Sequence, residues 1–363
     1  MIKNGYYYPD WIWSKKADID ETTGEKKGEA VLCFIVGNRG GGKSVGVGLY
    51  TLTDFINKGY QCALIRRNIK EFENSKTSTQ AFWGKCLQYS EEMEGHKITY
   101  KNNIAYIDGK VFCYPLALTD VNNIKNETFE NVHTLIFDEF IAESGKEIRL
   151  KGMNELQIIF SIFDTVARRR ENAKDTTAVI FISNAITKNN IYFNELGIDK
   201  ILRDDTKRID REKESGYVLE QVYNENVEKE VLESAFGKIL QATKSGREYL
   251  GYSQGNKFKD NKDFIIPKPK GKKKYLYTLI YNSFNFSVQF SEDGNFWFLS
   301  DKVDYTFPRR IALTKEDHTL NTSLINNTYK EAFRGLKKIY ENGDLYFESF
   351  RLKKIWEEVY NRI

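Results

Sequence analysis

Residues 37 to 44 read Gly-Asn-Arg-Gly-Gly-Gly-Lys-Ser and follow the apolar run Val31 to Val36 without a break. A glycine-rich turn between a buried strand and a helix points to an α/β fold with the turn at one end of its sheet. The spacing of Gly37, Gly42, Lys43 and Ser44 fits G-x-x-x-x-G-K-[ST]. In that pattern glycines let backbone N–H groups face phosphate oxygens, the lysine reaches the β and γ oxygens, and the serine hydroxyl holds Mg²⁺. Gly37, Asn38, Arg39, Gly40, Gly41, Gly42, Lys43 and Ser44 therefore form the expected nucleotide-binding segment, with ATP and Mg²⁺ as ligands. Arg39 either turns back on the γ-phosphate as a charge stabiliser within the chain or faces solvent.

A second half of such a site is a strand that ends in a carboxylate, and Thr134-Leu135-Ile136-Phe137-Asp138-Glu139 supplies one. Asp138 fits the metal role, usually through water, and Glu139 fits the position that orients and polarises an attacking water. An acid in that place favours hydrolysis over phosphate transfer to a substrate hydroxyl. Val179 to Ser183 reads as an intervening strand ending in Asn184, either a sensor of the γ-phosphate or an ordinary strand-terminal asparagine. Fast hydrolysis needs one more positive charge, which ring assemblies take from a neighbouring subunit. Arg168, Arg169 and Arg170 at a helix end are candidates, with Arg149 and Lys125 secondary; equally, such cations simply complement a helix C-terminus. Arg66 and Arg67, closing a second strand, approach the nucleotide face or pair with nearby acids. Tyr6, Tyr7, Tyr8, Trp11 and Trp13 either offer an adenine-stacking ring or pack as an edge.

Apolar runs at 31–36, 62–65, 134–137 and 177–182 alternate with helix-compatible stretches, as in a mostly parallel sheet covered on both faces. The runs 98–107 and 111–118 flank Asp108-Gly109, a hairpin dipeptide. From 204 to about 262 charges are dense and strand signals vanish, with 218–250 reading as one or two helices. A chain of 363 residues exceeds what one core usually serves, so three parts are expected: 1–205 with the phosphate loop, a helical linker or lid at 206–262, and an α+β part at 263–363. No apolar run approaches the ~20 residues that cross a bilayer, and no signal pattern opens the chain, so a soluble protein of the cell interior without a membrane partner is expected. Cys33, Cys62, Cys86 and Cys113 lie far apart within apolar runs, which suggests reduced thiols rather than a zinc site.

Net charge is only +4, but residues 264–363 carry 17 Lys/Arg against 12 Asp/Glu, a balance of +5. The basic excess includes Lys268, Lys270, Lys272, Lys273 and Lys274, which either track phosphates of a duplex or are scattered surface charge. No base-reading signature accompanies them, so any DNA contact is expected to be indifferent to sequence.

Taken in order, the arginine-bearing phosphate loop, Ile65-Arg66-Arg67, Phe137-Asp138-Glu139 and Ser183-Asn184 resemble the genome-packaging motor ATPases of phi-29-like small tailed phages. More distantly they resemble terminase large subunits. The resemblance is specific over residues 1 to about 205 and looser beyond. It implies an additional-strand (ASCE) P-loop fold and a homo-oligomeric ring, pentameric in this family, at the portal of an empty capsid. It also implies ATP-driven pumping of double-stranded DNA, action in the host cytoplasm and transiently at the portal vertex rather than in the mature virion, and a scaffold RNA as a possible partner. A C-terminal domain resembling the RNase H-like nuclease of terminases is implied as well. That nuclease needs clustered carboxylates, yet residues 275–290 contain no acid, and Asp293, Asp301, Asp304 and Asp317 fall in apparent turns. Loss of cutting is therefore expected, leaving a part suited to gripping DNA or docking on the portal. A helicase or recombination ATPase, a nucleotide-locked assembly protein and an active terminase-type nuclease are the alternatives.

Overall fold

A computed structural model describes residues 2–3, 6–20, 22–125, 127–141, 148, 150, 153–168, 173–185, 187–188, 190–203, 205–253, 265–266, 271–292, 296–325 and 327–362. The chain divides into two compact units, the first holding the described residues up to 253 and the second those from 265 onward.

In the first unit, strands β1 (Leu32–Gly37), β2 (Gln61–Arg66), β3 (Ile98–Lys101), β4 (Ile104–Ile107), β5 (Lys110–Ala117), β6 (Val132–Asp138), β7 (Ala178–Asn184), β8 (Arg208–Arg211) and β9 (Tyr217–Val222) form one sheet. Their order is β8-β9-β1-β7-β6-β2-β5-β4-β3. The six strands from β9 to β5 are parallel, and antiparallel strands extend both edges. Consecutive side chains of a strand point to opposite faces, and here the alternation feeds two separate cores. Leu32, Phe34, Leu135, Phe137, Val179 and Phe181 pack on the side of helix α3 (Glu155–Ala167). Cys33, Ile35, Ile136, Ile180 and Ile182 pack on the side of helices α1 (Lys43–Lys58) and α2 (Thr79–Leu87). The strands are apolar on both faces because both are covered. All four cysteines are buried free thiols within this unit.

Two expectations need correction. Residues 206–222 do not begin a helical linker, because β8 and β9 complete the sheet and β9 lies directly beside β1. Their strand signal is masked by polar residues: Glu220 and Gln221 are buried in β9, with Glu220 accepting from the Tyr7 hydroxyl and from Arg208 Nε at 3.1 Å. Only after them come three helices, α4 (Glu225–Glu233), α5 (Ala235–Ala242) and α6 (Lys244–Ser253), in the same unit. The run 98–107, read as one strand, is two, because Asn102 and Asn103 take left-handed φ values of 51° and 61° and turn the chain into a hairpin.

The second unit carries β10 (Lys273–Tyr281), β11 (Phe284–Ser291), β12 (Phe296–Ser300), β13 (Arg310–Ala312), β14 (Ser323–Leu324) and β15 (Leu345–Phe347), ordered β14-β13-β10-β11-β12-β15. Strands β10 to β12 form an antiparallel meander, while β13 runs parallel to β10, β14 to β13 and β15 to β12. Helices α7 (Asn327–Glu341) and α8 (Phe350–Arg362) bring Phe333, Leu336, Leu352 and Trp356 to its core. Among the described residues no helix is long and apolar enough to cross a membrane.

Candidate functional site

Strand β1 ends at Gly37, and six residues later α1 begins at Lys43. Gly42 caps the helix at φ 83°, a left-handed backbone that a side chain would disfavour. At Gly37 a Cβ would lie 2.0 Å from Val222 O of β9, so the loop leaves the sheet where only glycine fits. Asn38 is fully buried and anchors the loop from behind: its Nδ2 donates to Asn224 O (3.1 Å) and its Oδ1 accepts from Asn224 N (3.2 Å). Arg39 N donates to Ser253 O at 2.8 Å. The helical segment α4 to α6 thus starts and finishes on the loop. At the front, the helix N-terminus leaves backbone N–H groups and a positive dipole end, a cradle for phosphate.

Strand order places the expected partners together. In register, Gly37 of β1 sits beside Asn184 of β7, and Ile182 of β7 beside Asp138 of β6. Lys43, only 6% exposed, donates to Asn38 O (2.6 Å), Gly37 O (3.3 Å) and Asn184 Oδ1 (3.4 Å). Burial pushes its ammonium down from 10.5 to about 8, with the nearby Asp138 charge opposing that shift. Ser44 Oγ donates to Asp138 Oδ1 at 3.1 Å, while Asp138 Oδ2 accepts from an Arg66 guanidinium nitrogen at 3.4 Å.

Glu139 is exposed and takes φ 61°, a left-handed conformation costing roughly 1–2 kcal/mol for a residue with a Cβ. The turn is held from two sides. Phe140 N donates to Ile182 O of β7 (3.2 Å), and Arg67 donates to Glu139 O (2.7 Å) and Phe140 O (2.6 Å). Arg67 also forks onto Glu155 Oε1 and Oε2 (2.8 and 3.1 Å), and its guanidinium lies 5.2 Å from the Phe137 ring centre. Glu155, 1% exposed, accepts further bonds from Tyr192 Oη (2.9 Å) and Ile148 N (2.8 Å). Arg66 and Arg67 both pair with acids, and Arg66 does so at Asp138 beside the phosphate loop. Glu155 and Tyr192 escaped sequence reasoning. The one available signal was a glutamate heading an amphipathic helix behind the Asn154 cap.

Other candidates are placed less centrally. Arg39 is exposed on the loop. Arg168, exposed at the end of α3, donates to Lys125 O at 3.2 Å. Arg169, Arg170, Arg149, Lys268, Lys270 and Asp293 lie outside the described residues. Lys272, Lys273 and Lys274 are exposed at the start of β10, with Lys273 Nζ 5.5 Å from the Phe298 ring. Among the N-terminal aromatics, Tyr7 is tied to Glu220, and Trp13 and Tyr8 pack on Tyr50 of α1 at 3.8 and 5.9 Å between ring centres. They form a packed edge beside the loop, where Tyr7 N also donates to Gly41 O at 3.2 Å.

A phosphate loop ahead of α1, with one parallel strand interposed between β1 and the strand that carries the acids, defines the chain as an α/β protein of the phosphate-loop class. A family model described as Podovirus DNA encapsidation protein (Gp16) matches residues 25–363, and the chain belongs to that family. The DNA packaging protein of Bacillus phage phi29 is 27% identical over 337 residues, covering 92% of this chain and 95% of that one. That of Bacillus phage B103 is 26% identical over 337 residues, covering 92% and 98%. Two solved structures share the fold across nearly the whole chain. "The bacteriophage Phi-29 viral genome packaging motor assembly" has TM-score 0.67 and 24% identity over 99% of both chains. "The Phi-28 gp11 DNA packaging Motor" has TM-score 0.61 and 17% identity over 99% and 98%.

Proposed function

We propose that this protein is an ATP-hydrolysing motor that drives double-stranded DNA into an empty phage capsid through the portal. Family membership supports the DNA-packaging part of the reading. The hydrolytic part rests on one observation above all: Ser44 Oγ meets Asp138 Oδ1 at 3.1 Å beside a buried Lys43. The pair offers the oxygen donors that Mg²⁺ takes: the Ser44 hydroxyl would meet the ion and Asp138, already its hydrogen-bond partner, would hold it through water. Held by Ser44 and Asp138, Mg²⁺ would offset the negative charge that develops on the phosphoryl group during hydrolysis. Lys43 and the backbone N–H groups from Gly40 to Ser44 bind and orient the phosphates, and the charged form of Lys43 regains by pairing what burial costs it. Asn184, already within reach of Lys43, reports the γ-phosphate. Glu139 orients a water and takes its proton. An arginine from 168–170 of a neighbouring copy, or Arg39 in the same chain, supplies the remaining positive charge.

The assembly we propose is a homo-oligomeric ring, a pentamer with the portal and DNA as partners and with scaffold RNA as a further one, working in the host cytoplasm and leaving before the virion matures. The second unit is proposed to be RNase H-like with its cutting chemistry lost. A meander extended beside its first strand by two parallel strands supports that fold. The first strand, β10, carries no acid. Asp317 is committed to the β10–β11 turn, accepting from Asn282 N, Ser283 N and Thr314 Oγ1 at 2.6 Å each. Its lysines 268, 270, 272, 273 and 274 suit contact with a phosphate backbone. Portal-bearing empty capsids, this protein and ATP together should shelter duplex DNA from added nuclease. DNA that stays digestible, or DNA cut by the protein itself with Mn²⁺, would overturn the corresponding part.

A further inference from the structure

We propose that Arg67 is a positioning residue for Glu139, and that its fork onto Glu155 sets where the Glu139 carboxylate stands. The inference rests on the reading of Glu139 as the group that activates water.

Strand register explains why two consecutive arginines do different things. Ile65 of β2 pairs with Phe137 of β6, so Arg66 and Arg67 continue alongside Asp138 and Glu139. Alternation sends them to opposite faces. Arg66, on the α1 side, meets the Asp138 carboxylate; Arg67, on the α3 side, meets the backbone of the next turn. A left-handed glutamate immediately after a strand persists only where its surroundings impose it. Here the surroundings are specific: Arg67 donates to the carbonyls of Glu139 and Phe140, and Ile182 O holds the Phe140 N–H between them. A guanidinium reaching two carbonyls and two carboxylate oxygens needs its fork fixed, and Glu155, with Tyr192 and Ile148 N on its oxygens, fixes it. A buried ion pair is a poor device for stability alone. This one spends its hydrogen bonds on the single turn that aims a reactive carboxylate, which is what a preorganised site requires.

The test uses the full-length protein, following ATP turnover and, separately, binding of a fluorescent nonhydrolysable ATP analogue with Mg²⁺. Arg67→Ala should lower kcat by about 100-fold, the scale of an ångström of misplacement, with analogue affinity changed by less than about twofold. Glu155→Gln keeps its shape and an acceptor for Arg67 but loses the charge; it should fold and lower kcat by about tenfold with affinity again unchanged, and it decides the matter if Arg67→Ala does not fold. In a Glu139→Gln background, adding Arg67→Ala or Glu155→Gln should cost less than about twofold more, because both act through the same carboxylate. Wild-type kcat in Glu155→Gln, or losses that multiply with that of Glu139→Gln, would overturn the positioning role. If Glu139→Gln itself keeps full turnover, the failure belongs to the underlying reading and not to Arg67.

Discussion

Lys43 in the first unit and Asp317 in the second are both largely buried charges, 6% and 9% exposed, yet they are held on opposite terms. Asp317 accepts three short bonds that fix a left-handed turn at Asn282 and Ser283, so its charge serves folding. Among the described residues Lys43 donates only to the carbonyls of its own loop and to Asn184, and its ammonium is pushed down to about 8 by burial. One charge stabilises the unit that contains it; the other is kept at a cost to folding. A buried cation held at a loss, at the ends of three adjacent parallel strands, is what the proposed function requires of a phosphate-binding lysine.

The largest expected effect separates the two most cleanly. Lys43→Met should cut ATP turnover by at least about 10²–10³-fold, while nucleotide-free protein gains about 1–3 kcal/mol in chemical denaturation. The sign follows from the depressed pKa. Below about 8 the lysine is charged in both folded and unfolded chains, and the cost is fully present. Between about 8 and the ordinary 10.5 only the unfolded chain keeps the proton, so the gap between variant and wild type should shrink with rising pH and close above 10.5. Asp317→Ala should do the reverse, destabilising the second unit by about 2–4 kcal/mol, since hydrogen bonds to a charge are worth more than neutral ones. Turnover per folded molecule in basal ATPase assays should be unchanged.

Two smaller effects sharpen the contrast. Replacing Lys272, Lys273 and Lys274 together by Ala should weaken duplex binding about tenfold and reduce the salt slope by up to ~3, without altering nucleotide affinity. Titration of Mg·ATP binding should show affinity falling above pH about 8, by at most tenfold per pH unit, because phosphate favours the charged lysine and the free protein must then take up a proton. A flat profile from pH 7 to 10 would place the lysine elsewhere than beside phosphate.

How much could be read from sequence depended on how far apart the interacting residues lie. The loop from Gly37 to Ser44 and the pair Asp138-Glu139 are contiguous, and their flanking runs announce strands through uninterrupted apolar residues. The interposition of β7 was legible for the same reason. Strand β9 was not, because Glu220 and Gln221 break its apolar run, and Glu220 finds its partners Tyr7 and Arg208 only in the folded chain. The Asn102–Asn103 turn was hidden because alternation continues on both sides of it. Arg67, Glu155 and Tyr192 meet across separations of 88 and 37 residues, beyond the reach of any local pattern.

The most direct test of the central claim removes one proton acceptor and leaves everything else in place. Glu139→Gln should bind Mg·ATP as tightly as wild type yet release phosphate at least ~10²-fold more slowly, the share a positioned general base contributes, and leave DNA outside the capsid. Phosphate release at the wild-type rate, with ATP seated on residues 37–44, would contradict it.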